Sequence, residues 1–279
     1  MKSRWSLMLA AASLAASGAC AKKPAPAPPP TANVVTVMAG DYTFQAPDTI
    51  PAGLTTLLLK NLGKEVHQVI MMRLDSGKTM ADLQPVLTTP DMAIPGWLYF
   101  PLGVNGIVPG DSANATATLE PGHYVMVCFL PSPDGAPHVA KGMLRPIEVT
   151  ASTAALAPEP TADLVITAKD YTWDVSAPIT AGTHTIRMEN AGPQLHEVQI
   201  FQLAAGKTTK DFQSWIQGGM KGEPPARPVG GFAGPTPGGH GFFTTTFTPG
   251  SYVFVCFVPD KTDFKPHIMH GMMKEVTVS

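Results

Sequence analysis

An all-β protein built from two similar units is predicted by three observations: dispersed turn residues, short β-branched runs and an internal repeat. The 29 prolines and 26 glycines are scattered among apolar runs, the pattern of many short strands joined by turns. Asp41-Tyr42-Thr43 returns as Asp170-Tyr171-Thr172, Ala52-Gly53 as Ala181-Gly182, and Asn61 with Gly63 as Asn190 with Gly192, each 129 positions later. With 279 residues, each unit is long enough to bury its own core.

The chain opens with Lys2 and Arg4, an apolar stretch over 5–16, and the small residues Ser17-Gly18-Ala19 before Cys20. That order predicts an export signal over 1–20, too short in its apolar part to span a bilayer. Small residues directly before a cysteine resemble a bacterial lipobox, which would leave Cys20 as a lipidated N-terminus; Ala21 after it implies the outer membrane. An ordinary signal peptide cut nearby is the alternative, and both readings export the chain. Residues 21–32 include Pro24, Pro26, Pro28, Pro29 and Pro30 and read as an extended polyproline linker.

The first unit, 33–150, shows strand patterns at 34–38, 55–60, 67–73, 113–119, 124–130 and 147–150. Gly77-Lys78-Thr79 introduces a short helical pattern carrying Leu83, Val86 and Leu87, with Thr79 as N-cap and Pro85 limiting its length. A linker over 151–162, with Pro158 and Pro160, leads to the second unit, 163–279. There Gly206-Lys207-Thr208 introduces the matching helical pattern with Phe212, Trp215 and Ile216.

Charge excludes one class of partner. Net charge is −2, charged residues are 14%, and the chain lacks a basic cluster beyond Lys22-Lys23, so no nucleic-acid partner is expected. Phosphate loops, nucleophile elbows and zinc-protease helix motifs are also missing.

An exported chain normally pairs its cysteines. Cys20 belongs to the leader or anchor, which leaves Cys128 and Cys256 at equivalent places in the two units. Each lies in an apolar segment read as strand, so a disulfide would need two buried interiors to meet, and the thiols are read as unpaired. They keep company in the repeat: His67, Cys128, His138 and Met143 reappear as His196, Cys256, His267 and Met272, 128 or 129 positions on. Singly, each is the sort of residue a β core contains. Together, two imidazoles, a thiolate and a thioether form a donor set suited to copper.

An early strand with a His, then a late strand ending in Cys and a loop bearing His and Met, resembles the cupredoxin (blue copper) family. The resemblance covers nearly all of both units. It includes the turns 61–67 and 190–196 before the first His, the turns Pro121-Gly122 and Pro249-Gly250 before the Cys strands, and Pro137-His138 and Pro266-His267. It implies two tandem Greek-key β-sandwiches, each with a type 1 copper-like site of two His, one Cys and a weak axial Met. It also implies electron transfer with a redox partner protein, or copper buffering and delivery with a copper-handling partner. A metal-free structural or interaction module on the same scaffold is the third reading. Two features depart from the pattern. Cys to His spans ten residues in the first unit and eleven in the second, longer than in small carriers of the family, and Gln68 and Glu197 follow the first His where the family often has Asn.

Multicopper oxidases and nitrite reductases resemble tandem cupredoxins, yet link their copper centres through a His beside the ligand Cys. Here Val127 and Phe129, and Val255 and Phe257, flank the cysteines. The expectation is accordingly that the chain is not an enzyme. Met269, His270 and Met273 add soft donors near the second quartet and are read as loop residues.

Overall fold

The computed structural model describes residues 30–88 and 93–279. The predicted leader, the lipidation residue Cys20 and the polyproline linker up to residue 29 lie outside the described residues. The fold is all-β, two Greek-key sandwiches in tandem. The first unit supplies β1 (Asn33–Gly40), β2 (Thr43–Gln45), β3 (Thr49–Pro51), β4 (Gly53–Asn61), β5 (His67–Leu74), β6 (Leu98–Ile107), β7 (Ser112–Leu119), β8 (Gly122–Val127) and β9 (Leu144–Thr150). The second supplies β10 (Leu164–Lys169), β11 (Thr172–Val175), β12 (Gly182–Asn190), β13 (Val198–Leu203), β14 (Ala226–Phe232), β15 (His240–Phe247), β16 (Gly250–Val255) and β17 (Met273–Val278).

Alternation explains the outer strands. In β1, Val35, Val37 and Ala39 point into the core while the residues between them face outward. β1 lies parallel to β4, and β4 runs antiparallel to β7, so the chain must leave the sheet between them, as a Greek key does. The helices, α1 (Met80–Thr88) and α2 (Thr209–Gln217), fall where the sequence placed them. Thr208 and Asp211 cap α2 reciprocally, and its Phe212 packs against Phe201, Val253 and Val255. Pro85 sits inside α1 without making it shorter than α2.

Two strands absent from the sequence pattern, β6 and β14, decide how the units meet. They pair antiparallel, Val229 opposite Ile107 and Phe232 opposite Val104, while β15 meets β7 at Phe242 and Thr116. Each sheet therefore runs through both units, in the orders β11-β10-β12-β15-β7-β4-β1-β2 and β17-β16-β13-β14-β6-β5-β8-β9-β3. Glycine makes the close approach possible. A Cβ on Gly103 would stand 2.8 Å from that of Ala233, and one on Gly230, at φ +97°, 3.1 Å from that of Ala113. Buried Gln199 then stitches the seam: its Oε1 accepts from Gly106 N–H at 2.7 Å and its Nε2 donates to Gly106 O at 3.3 Å, while Gly230 O of its own unit accepts from the same Nε2 at 3.0 Å.

Candidate metal centres

Each first histidine is delivered by a tight, internally bonded turn. Asn61 is buried and donates to the carbonyls of Glu65 and Ile107 at 2.8 and 2.9 Å, while accepting from Gly63 N–H at 3.0 Å. Asn190 repeats this with Gln194, Pro235 and Gly192. Gly63 and Gly192 are required by space: an added Cβ would come 2.5 Å from His67 Nε2 or 2.6 Å from His196 Nε2. His67 opens β5, whereas His196 stands two residues ahead of β13.

The remaining members come from the closing loop. The sequence placed Cys128 and Cys256 within strands, but β8 and β16 stop at Val127 and Val255. At the cysteine the backbone changes partner. Cys128 N–H donates to Met143 O at 3.2 Å, Cys128 O accepts from Val139 N–H at 2.8 Å, and Met143 N–H donates to His138 O at 2.9 Å. Cys256, Ile268, Met272 and His267 repeat these bonds. Pro131 bridges to Pro137 and Pro259 to Pro266, so the extra residue of the second loop lies in the tip beyond the bridge and leaves the donors undisturbed.

In each unit the two imidazoles and the thiol converge. Nδ1 of His67 is 3.1 Å from Nδ1 of His138, which is 3.3 Å from Cys128 Sγ; His196, His267 and Cys256 show the same 3.1 and 3.3 Å. All six side chains are buried, as are Met143 and Met272, and both thiols are free of disulfides. Carboxylates then settle the tautomers. His67 Nε2 donates to Asp41 at 3.2 Å, His138 Nε2 to Glu65 at 2.8 Å, and His196 Nε2 to Asp170 at 2.5 Å, since a carboxylate can only accept. A proton on Nε2 leaves Nδ1 bare. In the first unit two lone pairs thus face each other beside a sulfur, an arrangement that calls for a cation between them. Donors 3.1–3.3 Å apart also match what metal–ligand bonds of about 2.0–2.3 Å require. The donor set fits a soft transition metal, and the carboxylate behind the imidazole is the usual companion of a metal-bound His.

Burial governs the protonation of these groups. It pushes the Cys128 thiol up to about 11, against the pull of N–H groups from Gln68 and Leu130, and pushes Cys256 well above its ordinary value, with the Glu197 charge adding to it. Without metal the thiols keep their protons, so a metal must displace them and binds more tightly as pH rises. Burial also lowers His67 and His196, against the Asp41 and Asp170 hydrogen bonds. His267 falls to about 4, through burial and then the neighbouring His196.

Sequence reading missed the groups that orient these donors. Asp41 and Asp170 support the first histidines, and Tyr42 and Tyr171 donate to Glu65 and Asp260 at 2.8 and 2.6 Å. The signal was present, since Asp-Tyr-Thr is one of the repeated triplets. His270 lies at the surface, stacked on Tyr171 at 4.9 Å and paired with Asp263 at 3.1 Å, and Met269 is exposed. Asp260, Asp263 and His270 bring three donors within 4.8 Å, yet chain donors already occupy both carboxylates: Thr262, Tyr171 and Gln194 on Asp260, Lys265 and His270 on Asp263. No described helix is long and apolar enough to cross a membrane.

No family model and no curated protein matches the chain. Among solved structures, reduced auracyanin from Roseiflexus castenholzii is 20% identical over 44% of this chain and 99% of its own, with a TM-score of 0.31. The blue copper oxidase of Nitrosomonas europaea is 15% identical over 88% and 85%, with a TM-score of 0.24. The copper-containing nitrite reductase of Thermus scotoductus is 12% identical over 88% and 61%, also at 0.24. The expectation that the chain is not an enzyme does not stand. It was drawn from the residues flanking each Cys, while an oxidase and a reductase both align along 88% of this chain.

Proposed function

We propose that this chain, two cupredoxin-like repeats in tandem, binds copper at a type 1-like site in each repeat and carries single electrons. One observation bears the reading: two imidazole Nδ1 atoms and a cysteine sulfur converge within 4.8 Å in both repeats, all of them buried. Bound copper supplies one-electron cycling between +1 and +2. His67, His138 and Cys128 would hold it in the first repeat, and His196, His267 and Cys256 in the second, with Met143 and Met272 as weak axial thioethers. The backbone bonds that close each Cys-to-Met loop hold the donors in one arrangement, so little has to move when the charge changes. Burial keeps water from the thiolate, and Asp41, Glu65 and Asp170 keep the rings turned with Nδ1 inward.

A leader over 1–20, a lipid anchor at Cys20 in the outer membrane, a stalk over 21–32 and electron-transfer domains over 33–150 and 163–279 joined by 151–162 belong to the same reading, supported by Lys2 and Arg4 before the apolar stretch over 5–16 and by Ser17-Gly18-Ala19 before Cys20. A redox partner protein in the cell envelope would exchange the electrons. A second reading, copper buffering or delivery to a copper-handling protein, is favoured by Met269 and His270, soft donors exposed on the same 3₁₀ turn as His267.

Titrating the purified protein with Cu(II) tests both. Two equivalents and an intense thiolate-to-copper absorption are expected, with Cys128→Ser and Cys256→Ser each removing one equivalent. Colourless Cu(I) uptake alone would transfer support to buffering, and no uptake of either ion would leave a metal-free structural module.

A further inference from the structure

The two centres differ by a reciprocal exchange. Two residues before the first histidine stands Glu65 in one repeat and Gln194 in the other; four residues after the cysteine stands Ser132 in one and Asp260 in the other. The carboxylate has moved from one wall of the centre to the opposite wall. Both versions accept the hydroxyl of the repeated tyrosine, Tyr42 on Glu65 and Tyr171 on Asp260. Only one also reaches the second imidazole. Glu65 Oε2 lies 2.8 Å from His138 Nε2, but Asp260 Oδ2 lies 3.8 Å from His267 Nε2, which is buried with no hydrogen-bond partner. Asp260 is held off by its other donors: Thr262 through N–H and hydroxyl, Tyr171 at 2.6 Å and Gln194 at 2.9 Å.

We infer that Glu65 is a positioning residue that sets the two centres to different reduction potentials, the first below the second. The inference rests on the copper reading above. An imidazole whose N–H is taken by a carboxylate is a more basic donor and favours the more highly charged metal. His138 has that support and His267 lacks it, while each first imidazole has a carboxylate on its Nε2, Asp41 at 3.2 Å from His67 and Asp170 at 2.5 Å from His196. The first centre is then the harder to reduce, and an electron held by the molecule resides at the second. Glu197, beside Cys256, has neutral Gln68 as its counterpart, so the comparison belongs in a Glu197→Gln background.

Cys256→Ser leaves the first centre alone and Cys128→Ser the second, so that the potential of each is measured spectroelectrochemically on the copper-loaded full chain. The first is expected below the second. Glu65→Gln should weaken affinity for the oxidised metal about tenfold relative to the reduced, raising the first potential by ~60 mV. Glu65→Asp should fall between, and Gln194→Glu with Asp260→Ser should lower the second. Copper uptake with coincident potentials, or a Glu65→Gln potential that does not move, overturns this inference alone; no copper in either form overturns the reading beneath it. Long-range ¹⁵N spectra of the metal-free protein give an independent check. The His138 proton should sit on Nε2 in the wild type and redistribute between the two nitrogens in Glu65→Gln, and an unchanged spectrum counts against Glu65.

Discussion

Glu197 is enclosed beside the second thiol, where its Oε1 accepts the Phe257 N–H at 2.9 Å. Burial pushes its carboxyl up to about 7 from an ordinary 4.5. Below pH 4.5 both folded and unfolded chains hold this proton. Between 4.5 and 7 the folded chain keeps it and the unfolded chain releases it, so stability falls as pH rises through that window. At about 1.4 kcal/mol per unit, the loss approaches roughly 3 kcal/mol by pH 8. Glu197→Gln can still accept the Phe257 N–H and has no proton to lose. Urea unfolding of the metal-free protein at pH 5 and pH 8 should therefore show the wild type losing that much relative to the variant; parallel curves would refute the assignment.

At the level of elements, β6 and β14 matter most. Their prolines and glycines, in LYFPLGVNGI and ARPVGGF, look like turn punctuation, yet these strands form the seam because small residues let two backbones approach. Gln199 interrupts the apolar run of β13 where the first repeat has Ile70, and the interruption is explained by the Gly106 N–H and carbonyl it meets across the seam and the Gly230 carbonyl beside it. Gln199→Ala leaves those groups buried without partners. The expected cost is about 1–3 kcal/mol, read from the urea midpoint of the metal-free chain. A change no larger than that of an exposed substitution, within ~0.5 kcal/mol, would mean that Gln199 does not hold the seam.

Over the whole molecule, both sheets are continuous and one core cluster takes residues from each repeat, among them Leu57, Leu59 and Val104 with Ile186, Phe232 and Phe243. Separating the repeats would expose β6, β7, β14 and β15 as unpaired edges. Heat unfolding is therefore expected as one calorimetric transition, with calorimetric and van't Hoff enthalpies equal. Excess copper should raise its midpoint, because a ligand of the folded state alone stabilises that state by mass action. Two resolved transitions, each assignable to one repeat by its Cys→Ser variant, would refute the single unit.

The class of the fold, its duplication and the two His and one Cys that converge in each unit can be read from the order of residues alone. Those features are written locally: β-branched runs between turns specify strands, and a duplicated quartet survives in order and spacing. Tertiary structure alone decided where Cys128 leaves its strand, how Asp41 and Glu65 turn two rings so that bare nitrogens face a sulfur, and how the two sandwiches fuse edge to edge. These depend on contacts between residues far apart in the chain, such as Glu65 with His138 and Gln199 with Gly106, and on backbone spacing that only glycine permits. A single sequence records which residues are present but not which of them meet. The repeated Asp-Tyr-Thr triplets lay in plain view, and their role emerged only once folding had carried them to the histidines.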